Sequence, residues 1–600
     1  MAKLAIVLHE GVPAKQHILL AKTLDFFGVP FKFTILSAFP ESGKLEDQVV
    51  FGSASAIATA YQRAEVSADR IGRHAAFYAF ADNDRPAAES GIRMILGDAR
   101  LALREAPAGF AAIQISPLFG EIVGPMSGIE VRVRMREEDA VLAGIDEQQT
   151  KIVPIISAAG APVYLRVESG GVPIYLCASS FAADIDEEVE AGYYDVKEHL
   201  CSAVPLISFI RLMFREVAWQ PQEIGACLII DDPLLRRRYG CCDFERLRRL
   251  MQQYGFTTNI AFIPWNWRRT SATASNLFGN GSGDFSVSIH GCDHVKAEFG
   301  DLSPSVLDNR AKLAQARMRM HEHRTGIHHD PVMVFPQGIF SSACPGILKR
   351  NGFIAAVNTQ TSPMDSDLGR TRIRDIWDVA IMKYGDFPVF TRRYADHGIE
   401  NFAFDLLLGK PCLIAAHHEF FKDDCSELIG LLDSLHARKC DLKWRPLGEA
   451  ILRACRRRTD NAGVIEVEMY GTELTLSNSE ENEIHAVINR KESDPKIVTQ
   501  ILSDRHPVQW NTQSDGWSVE TKLAAHSDRH FRVCYRELDD IQAIGRSVIF
   551  RSSVAARRIL SEFANAYVGR STAINVRKTR PLTVQPDHRL RTNPSASSEL

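Results

Sequence analysis

Residues 227–230, 259–262, 285–289, 332–335, 353–357 and 412–416 form one recurring pattern: short apolar runs separated by stretches of helical periodicity, such as 244–254 and 305–323. Buried strands that alternate with helices do not pair as hairpins, because each helix crosses the sheet before the next strand begins. A parallel β/α barrel is the natural closure for this repetition. In such barrels, polar residues just past the strand ends are the ones to suspect of chemistry.

Two of these strand ends stand out. The run Cys227-Leu228-Ile229-Ile230 stops at Asp231-Asp232, and Phe285-Ser286-Val287-Ser288-Ile289 stops at His290-Gly291-Cys292-Asp293-His294. Successive side chains on a strand point to opposite faces, so the two carboxylates can divide their roles, one binding a metal and one free as a base. His290 and His294 are four residues apart and converge on one ion if the segment is helical or tightly turned. One Asp with two His leaves room for water, as a catalytic zinc site requires.

Ile229-Ile230-Asp231-Asp232, His290-x-x-x-His294, Phe335-Pro336-Gln337-Gly338 and Leu413-Ile414-Ala415-Ala416-His417 together resemble the motifs of the polysaccharide deacetylase family, carbohydrate esterase family four, over roughly residues 222–456. The resemblance implies a distorted β/α barrel. It also implies a metal-dependent hydrolase that removes acetyl groups from an amino sugar or acetylated sugar in polysaccharide metabolism. Carried over, it makes Asp231 the general base and Asp232, His290 and His294 the ligands of a divalent metal, zinc foremost. The general acid would be His417, or His418 one residue on. Pro336 and Gln337 become substrate-binding candidates, with a backbone N–H near Gln337 facing the oxyanion. Arg236, the first of Arg236-Arg237-Arg238, is a candidate for an anionic substrate group, with a solvated loop as the alternative.

The sequence also departs from the family. The third motif usually carries an Arg that orients the base, where this chain has Val334-Phe335. The second usually has Ser or Thr after its first His, where this chain has Gly291. For the fourth motif there are two candidates, Trp377-Asp378 and Arg392-Arg393. Two other readings remain open: a glycoside hydrolase on a related barrel, using carboxylates, and a non-catalytic, metal-retaining scaffold in polysaccharide assembly.

Upstream, residues 1–220 alternate strands (4–8, 31–36, 110–115) with helical stretches such as 14–27, which predicts a doubly wound α/β domain. Residues 163–167 and 172–177 flank Gly170-Gly171 as a hairpin. The arrangement faintly resembles class I amidotransferase-like domains. However, no Gly-x-Cys-x-Gly elbow is present and Cys177 lacks the flanking glycines, so a binding or scaffolding role is expected. His9-Glu10 reads as a solvated loop pair, and 201–219 as a helix between domains. Residues 460–540 alternate as a β-sandwich with Trp510 and Trp517 packed inside. Residues 541–570 read as a helix with Arg557-Arg558 on its polar face, and 571–600 as a disordered tail.

Composition bounds the remainder. Six hundred residues predict three or four domains, and a net charge of -4 without a basic stripe argues against a nucleic-acid partner. Twelve scattered cysteines without a CxxC predict free thiols. The apolar N-terminal run is too short for a signal peptide and no stretch approaches the ~20 apolar residues of a membrane helix, so a cytoplasmic location is expected. The expected partners are a carbohydrate substrate and polysaccharide-assembly proteins. His321, His323, His328 and His329 are expected at the surface, and Cys292 in packing rather than metal ligation.

Overall fold

The computed structural model describes residues 4–39, 48–65, 76–97, 100–144, 152–169, 172–180, 182–190, 192–279, 283, 285–365, 369–536 and 548–567. The turn expected at 170–171 and the tail expected at 571–600 lie outside them. None of the described helices is long and apolar enough to cross a membrane.

The repeating segment forms a nearly closed parallel sheet. Its strands run in the order Val389–Thr391, Ala355–Asn358, Val332–Val334, Phe285–His290, Thr258–Phe262, Ile224–Asp231, Cys412–Ala416 and Arg393–Tyr394, with Leu442–Trp444 pairing beside Ile224–Asp231. The two edge strands are consecutive pieces of one extended segment, interrupted only at Arg392. The Arg392 N–H still donates to the Asn358 carbonyl at 2.9 Å, so the interruption lies on the ring itself. β-Branched and apolar residues explain these strands: Thr258–Phe262 and Cys412–Ala416 are buried at every position. The strand expected at 353–357 begins two residues late, at Ala355. Phe353 and Ile354, though buried, belong to the turn behind Gly352, whose φ is +75°. Helices Phe244–Tyr254 and Pro304–Thr325 lie where the periodicity predicts. Asp243 caps the first by accepting from the N–H groups of Glu245 and Arg246.

The N-terminal sheet is only half as expected. Strands Phe31–Ile35, Leu4–His9, Gln48–Ser53, Ala76–Phe80 and Val172–Cys177 are parallel, with helices Lys15–Phe26 and Ala54–Glu65 packed on opposite faces. Beyond them, Ala161–Ser169, Ile152–Ala158, Phe110–Ile115 and Glu130–Arg134 continue antiparallel. The doubly wound expectation fails there because short turns, such as Ala159-Gly160 with both φ positive, replace helical crossovers. The strands flanking 170–171 do pair antiparallel. Helix Leu200–Met213 is buried through Ile210 and joins this sheet to the barrel in one continuous core.

Beside the barrel, a six-stranded sheet, whose edge strand Gln220–Pro221 precedes the barrel in the chain, and a four-stranded sheet share a core that includes Val467, Leu474, Ile488, Trp517 and Phe531. Trp517 is buried and Trp510 packs, partly buried, against the same core. Lys349 of the barrel and Glu492 form a buried ion pair at 2.6 Å across this junction.

Candidate active site

Three strand ends and the ring interruption converge on one cluster. Asp231 ends its strand and is 4% exposed. Asp232 follows with φ +75°, in the left-handed region. With that turn between them, both carboxylates lie within electrostatic reach of His290. Asp231 meets the guanidinium of Arg392 face on, Oδ1 to Nη1 and Oδ2 to Nη2, each at 2.6 Å. Burial opposes ionisation of Asp231, but Arg392, with His290 and His417 nearby, holds its carboxyl down at about 2.

Asp232 faces the histidines. Its Oδ1 lies 3.1 Å from His294 Nε2 and 3.6 Å from His290 Nε2. His290 ends its strand and donates Nδ1–H to the Val334 carbonyl at 2.9 Å, which leaves the Nε2 lone pair directed at Asp232. The two imidazoles are brought together by a tight turn rather than a helix, with φ +65° at Gly291 and +57° at His294. Burial pushes the His294 imidazole down to about 4, against the pull of Asp232.

Do these residues fit a metal? Zinc bonds of about 2.0–2.2 Å in a tetrahedron put neighbouring donor atoms about 3.4 Å apart, and the donors of Asp232, His290 and His294 lie within 4.8 Å of one another. Asp232 Oδ1 is also buried without a hydrogen-bond partner, as a ligand atom awaiting a cation would be. The donor set fits.

His417 ends the Cys412–Ala416 strand on the open side. Its Nε2 and the Tyr394 hydroxyl share a hydrogen bond at 3.3 Å, and the two rings stack. His418 turns instead to the Tyr239–Gly240 loop: its ring sits edge-on to Tyr239, and it crowds Gly240 so closely that a Cβ there would lie 2.5 Å from Nδ1. Of the two candidate acids, His417 is the one among the charges that bear most strongly on Asp231. Pro336 is buried against Gly291, while Gln337 is exposed at φ +59° with Oε1 accepting from the Ala297 N–H at 3.3 Å. Arg236 is exposed on the loop past the carboxylates.

Several expectations change. The guanidinium bonded to Asp231 comes not from near Val334-Phe335 but from the ring interruption: it is Arg392, one of the two fourth-motif candidates. The other, Trp377-Asp378, lies away from the cluster: Asp378 accepts from the Tyr470 hydroxyl at the junction with the C-terminal sheets. His321 is not at the surface. It is buried, hydrogen-bonded to Thr270 Oγ1 at 2.8 Å and set against Phe262, while His328 is exposed as expected. Cys292 is buried as expected.

Tyr394 was not among the expected site residues. Neither were the arginines of the Val548–Tyr567 helix, where Arg557 donates to the His294 carbonyl at 2.9 Å and Arg558 is buried within electrostatic reach of Asp232 and His294. Arg558 is therefore not on a solvated polar face.

No protein-family model matches the chain, and no curated protein matches it. Solved structures do. The chitin deacetylase of the fungal pathogen Colletotrichum lindemuthianum is 14% identical, with 38% of this chain covering 89% of that one at a TM-score of 0.25. Solved polysaccharide deacetylases and family four carbohydrate esterases are what this chain is similar to. The family 4 carbohydrate esterase from Streptomyces lividans, also 14% identical, pairs 37% of this chain with 90% of its own at 0.22. A glutamine amidotransferase from Methylobacillus flagellatus is 10% identical over 28% of this chain and 67% of its own, at 0.18. At scores this low, function has to be read from the geometry of the site.

Proposed function

We propose that the chain is a metal-dependent hydrolase that removes acetyl groups from an amino sugar or other acetylated sugar in polysaccharide metabolism. The observation that carries this reading is a carboxylate, Asp231, fixed by Arg392 beside a three-donor set that leaves coordination positions open. Asp232, His290 and His294 would hold the metal, and one Asp with two His suits zinc. When bound, the metal supplies Lewis acidity, polarising the acyl carbonyl and lowering the pKa of water from ~15.7 towards ~7.

The chain's own residues do the rest. Asp231 stays ionised across the working pH range. Each of its oxygens engages Arg392 through one lone pair and keeps another for the proton of the attacking water. Arg392 costs Asp231 basicity and in return fixes its orientation. His417, held by the Tyr394 hydroxyl, donates a proton to the departing amine or hydroxyl. The backbone near Gln337, on the rim formed by Pro336 and Ala297, is the candidate donor to the oxyanion. Exposed Arg236 would meet a substrate's anionic group.

Bound zinc is measured first, then acetate release from N-acetylated and O-acetylated oligosaccharides by wild type, Asp231→Asn and His294→Ala. Metal bound without acetate from any substrate sinks the deacetylase reading. New reducing ends in place of acetate support a glycoside hydrolase. Zinc retention with neither product leaves the polysaccharide-assembly scaffold.

A further inference from the structure

Behind the two histidines lies a second cluster, Cys292, Asp293 and Glu298, whose donor atoms also lie within 4.8 Å of one another. It has the look of another cation site, but N–H groups already engage its lone pairs. Glu298 Oε1 accepts from the Asp293 N–H at 2.8 Å, and Oε2 accepts from the N–H groups of Cys292 at 2.9 Å and His294 at 3.0 Å. Arg317 donates to Asp293 Oδ1 at 2.6 Å and to the Cys292 carbonyl at 3.1 Å, and its Nη1 lies 3.4 Å from Cys292 Sγ. Three successive amides therefore wrap one carboxylate, a nest that the chain fills with its own anion.

What the nest holds is the conformation of the ligand loop. His294 sits at φ +57°, which costs a residue with a side chain and persists only when its surroundings enforce it. Gly291 cannot help through a side chain: a Cβ there would lie 2.4 Å from Pro336 Cγ and 2.6 Å from Glu298 Oε2. Glu298 is 1% exposed and its own carbonyl accepts from Arg310, so the mould itself is fixed.

We propose that Glu298 is the positioning residue that sets His294 against Asp232 in advance of metal binding. This rests on the reading of Asp232, His290 and His294 as the ligands. Glu298→Gln keeps one acceptor oxygen but turns an amide N–H towards a backbone N–H. Glu298→Asp keeps the charge one methylene short. Titrating the full-length chain with zinc, and with cobalt for its visible spectrum, should give a dissociation constant about 10–100-fold higher for Glu298→Gln, as for other groups that orient metal ligands. A changed cobalt spectrum should accompany it, with Glu298→Asp in between. Leu474→Ala, in the C-terminal core, destabilises the fold without touching the site and should keep wild-type affinity.

Wild-type affinity and spectrum in both Glu298 variants overturn the proposal, and so does an equal loss of affinity in Leu474→Ala. If Glu298→Gln does not fold, Glu298→Asp carries the measurement. A wild type that binds metal but releases no acetate fails the deacetylase reading and leaves this inference standing on affinity. A wild type that binds no metal overturns both.

Discussion

Replacing Arg392 by Ala should produce a stability loss that depends on pH in a particular direction. Both partners are almost fully buried, and each Asp231 oxygen receives one guanidinium N–H at 2.6 Å. Held at about 2 against an ordinary 3.8, Asp231 contributes about 2–3 kcal/mol to wild-type stability at pH 7. Because its folded pKa is depressed, this contribution is present above about pH 4 and is lost as pH falls through about 2. In Arg392→Ala, burial acts on Asp231 with the guanidinium gone, and the folded pKa moves above 3.8. That variant is then penalised increasingly as pH rises, by about 3–5 kcal/mol at pH 7, the usual cost of stranding one member of a buried pair. The assay is thermal unfolding of wild type and variant in chelator between pH 4 and 8, following the first transition. The gap between their midpoints should widen with pH, and adding Asp231→Asn to the variant should close most of it. Arg392→Lys, a point charge without the fork, should fall between the two. A gap that stays constant from pH 4 to 8, or a double variant no better than Arg392→Ala, refutes the reasoning.

Further outcomes follow from the same geometry. Chelation should lower the unfolding midpoint of wild type but not of Asp232→Asn or His294→Ala, the difference reaching about 2.7 kcal/mol with free zinc at a hundred times the dissociation constant. His417→Ala should lose about 10²–10⁴-fold in kcat on acetylated substrates, whereas His418→Ala, whose ring faces Tyr239, should stay within a few fold. Burial pushes the Asp330 carboxyl up to about 6, so its contribution to stability is greatest below about pH 4 and is lost as pH rises through 6. Asp330→Asn keeps an oxygen for the Gly448 N–H and should gain on wild type between pH 4 and 8, by at most about 3 kcal/mol, in denaturant titrations. Ending the chain after Arg536 removes Arg558 from beside Asp232 and should tighten zinc binding several-fold by titration.

The proposed base and ligand residues were legible because each is a local event: an apolar strand stops, and a carboxylate or an imidazole follows. Asp231, Asp232 and His290 need nothing beyond the end of their own strand to be suspected. The residues that complete the site carry no such mark. Val389–Thr391 and Arg393–Tyr394 are strands of three and two residues, too short for any periodicity, and Arg392 lies 161 positions from the carboxylate it grips. Glu298 follows a tight loop, and nothing in its type distinguishes a carboxylate that gathers three amides from one in solvent. Residue type alone also misplaced Arg558 and His321, both of which are buried. It assumes that charged and polar side chains stay in solvent, whereas Arg558 is buried within electrostatic reach of Asp232 and His321 bonds a threonine hydroxyl.

The same interruption explains why the missing arginine is found where it is. The ring can close only if one extended segment serves both sheet edges, pairing through Val389–Thr391 with Ala355–Asn358 and through Arg393–Tyr394 with Cys412–Ala416. Between those pairings one residue leaves the ladder, and that residue is Arg392. Arg393, on the neighbouring position, grips Asp405 of helix Ile399–Leu408, so the segment is tied by ion pairs on both sides of the ring. A cation is needed at Arg392 because Asp231 ends a strand two places along the sheet from Arg393–Tyr394, with no other guanidinium bonded to it among the described residues. Closing the sheet and neutralising the buried carboxylate are therefore one structural event. An arginine supplied from the end of the Val332–Val334 strand would satisfy the same carboxylate but would leave the seam tied on one side only, by Arg393 and Asp405. By this reasoning, moving the cation from position 392 to position 334 or 335 should cost more stability than removing a buried ion pair from a continuous strand.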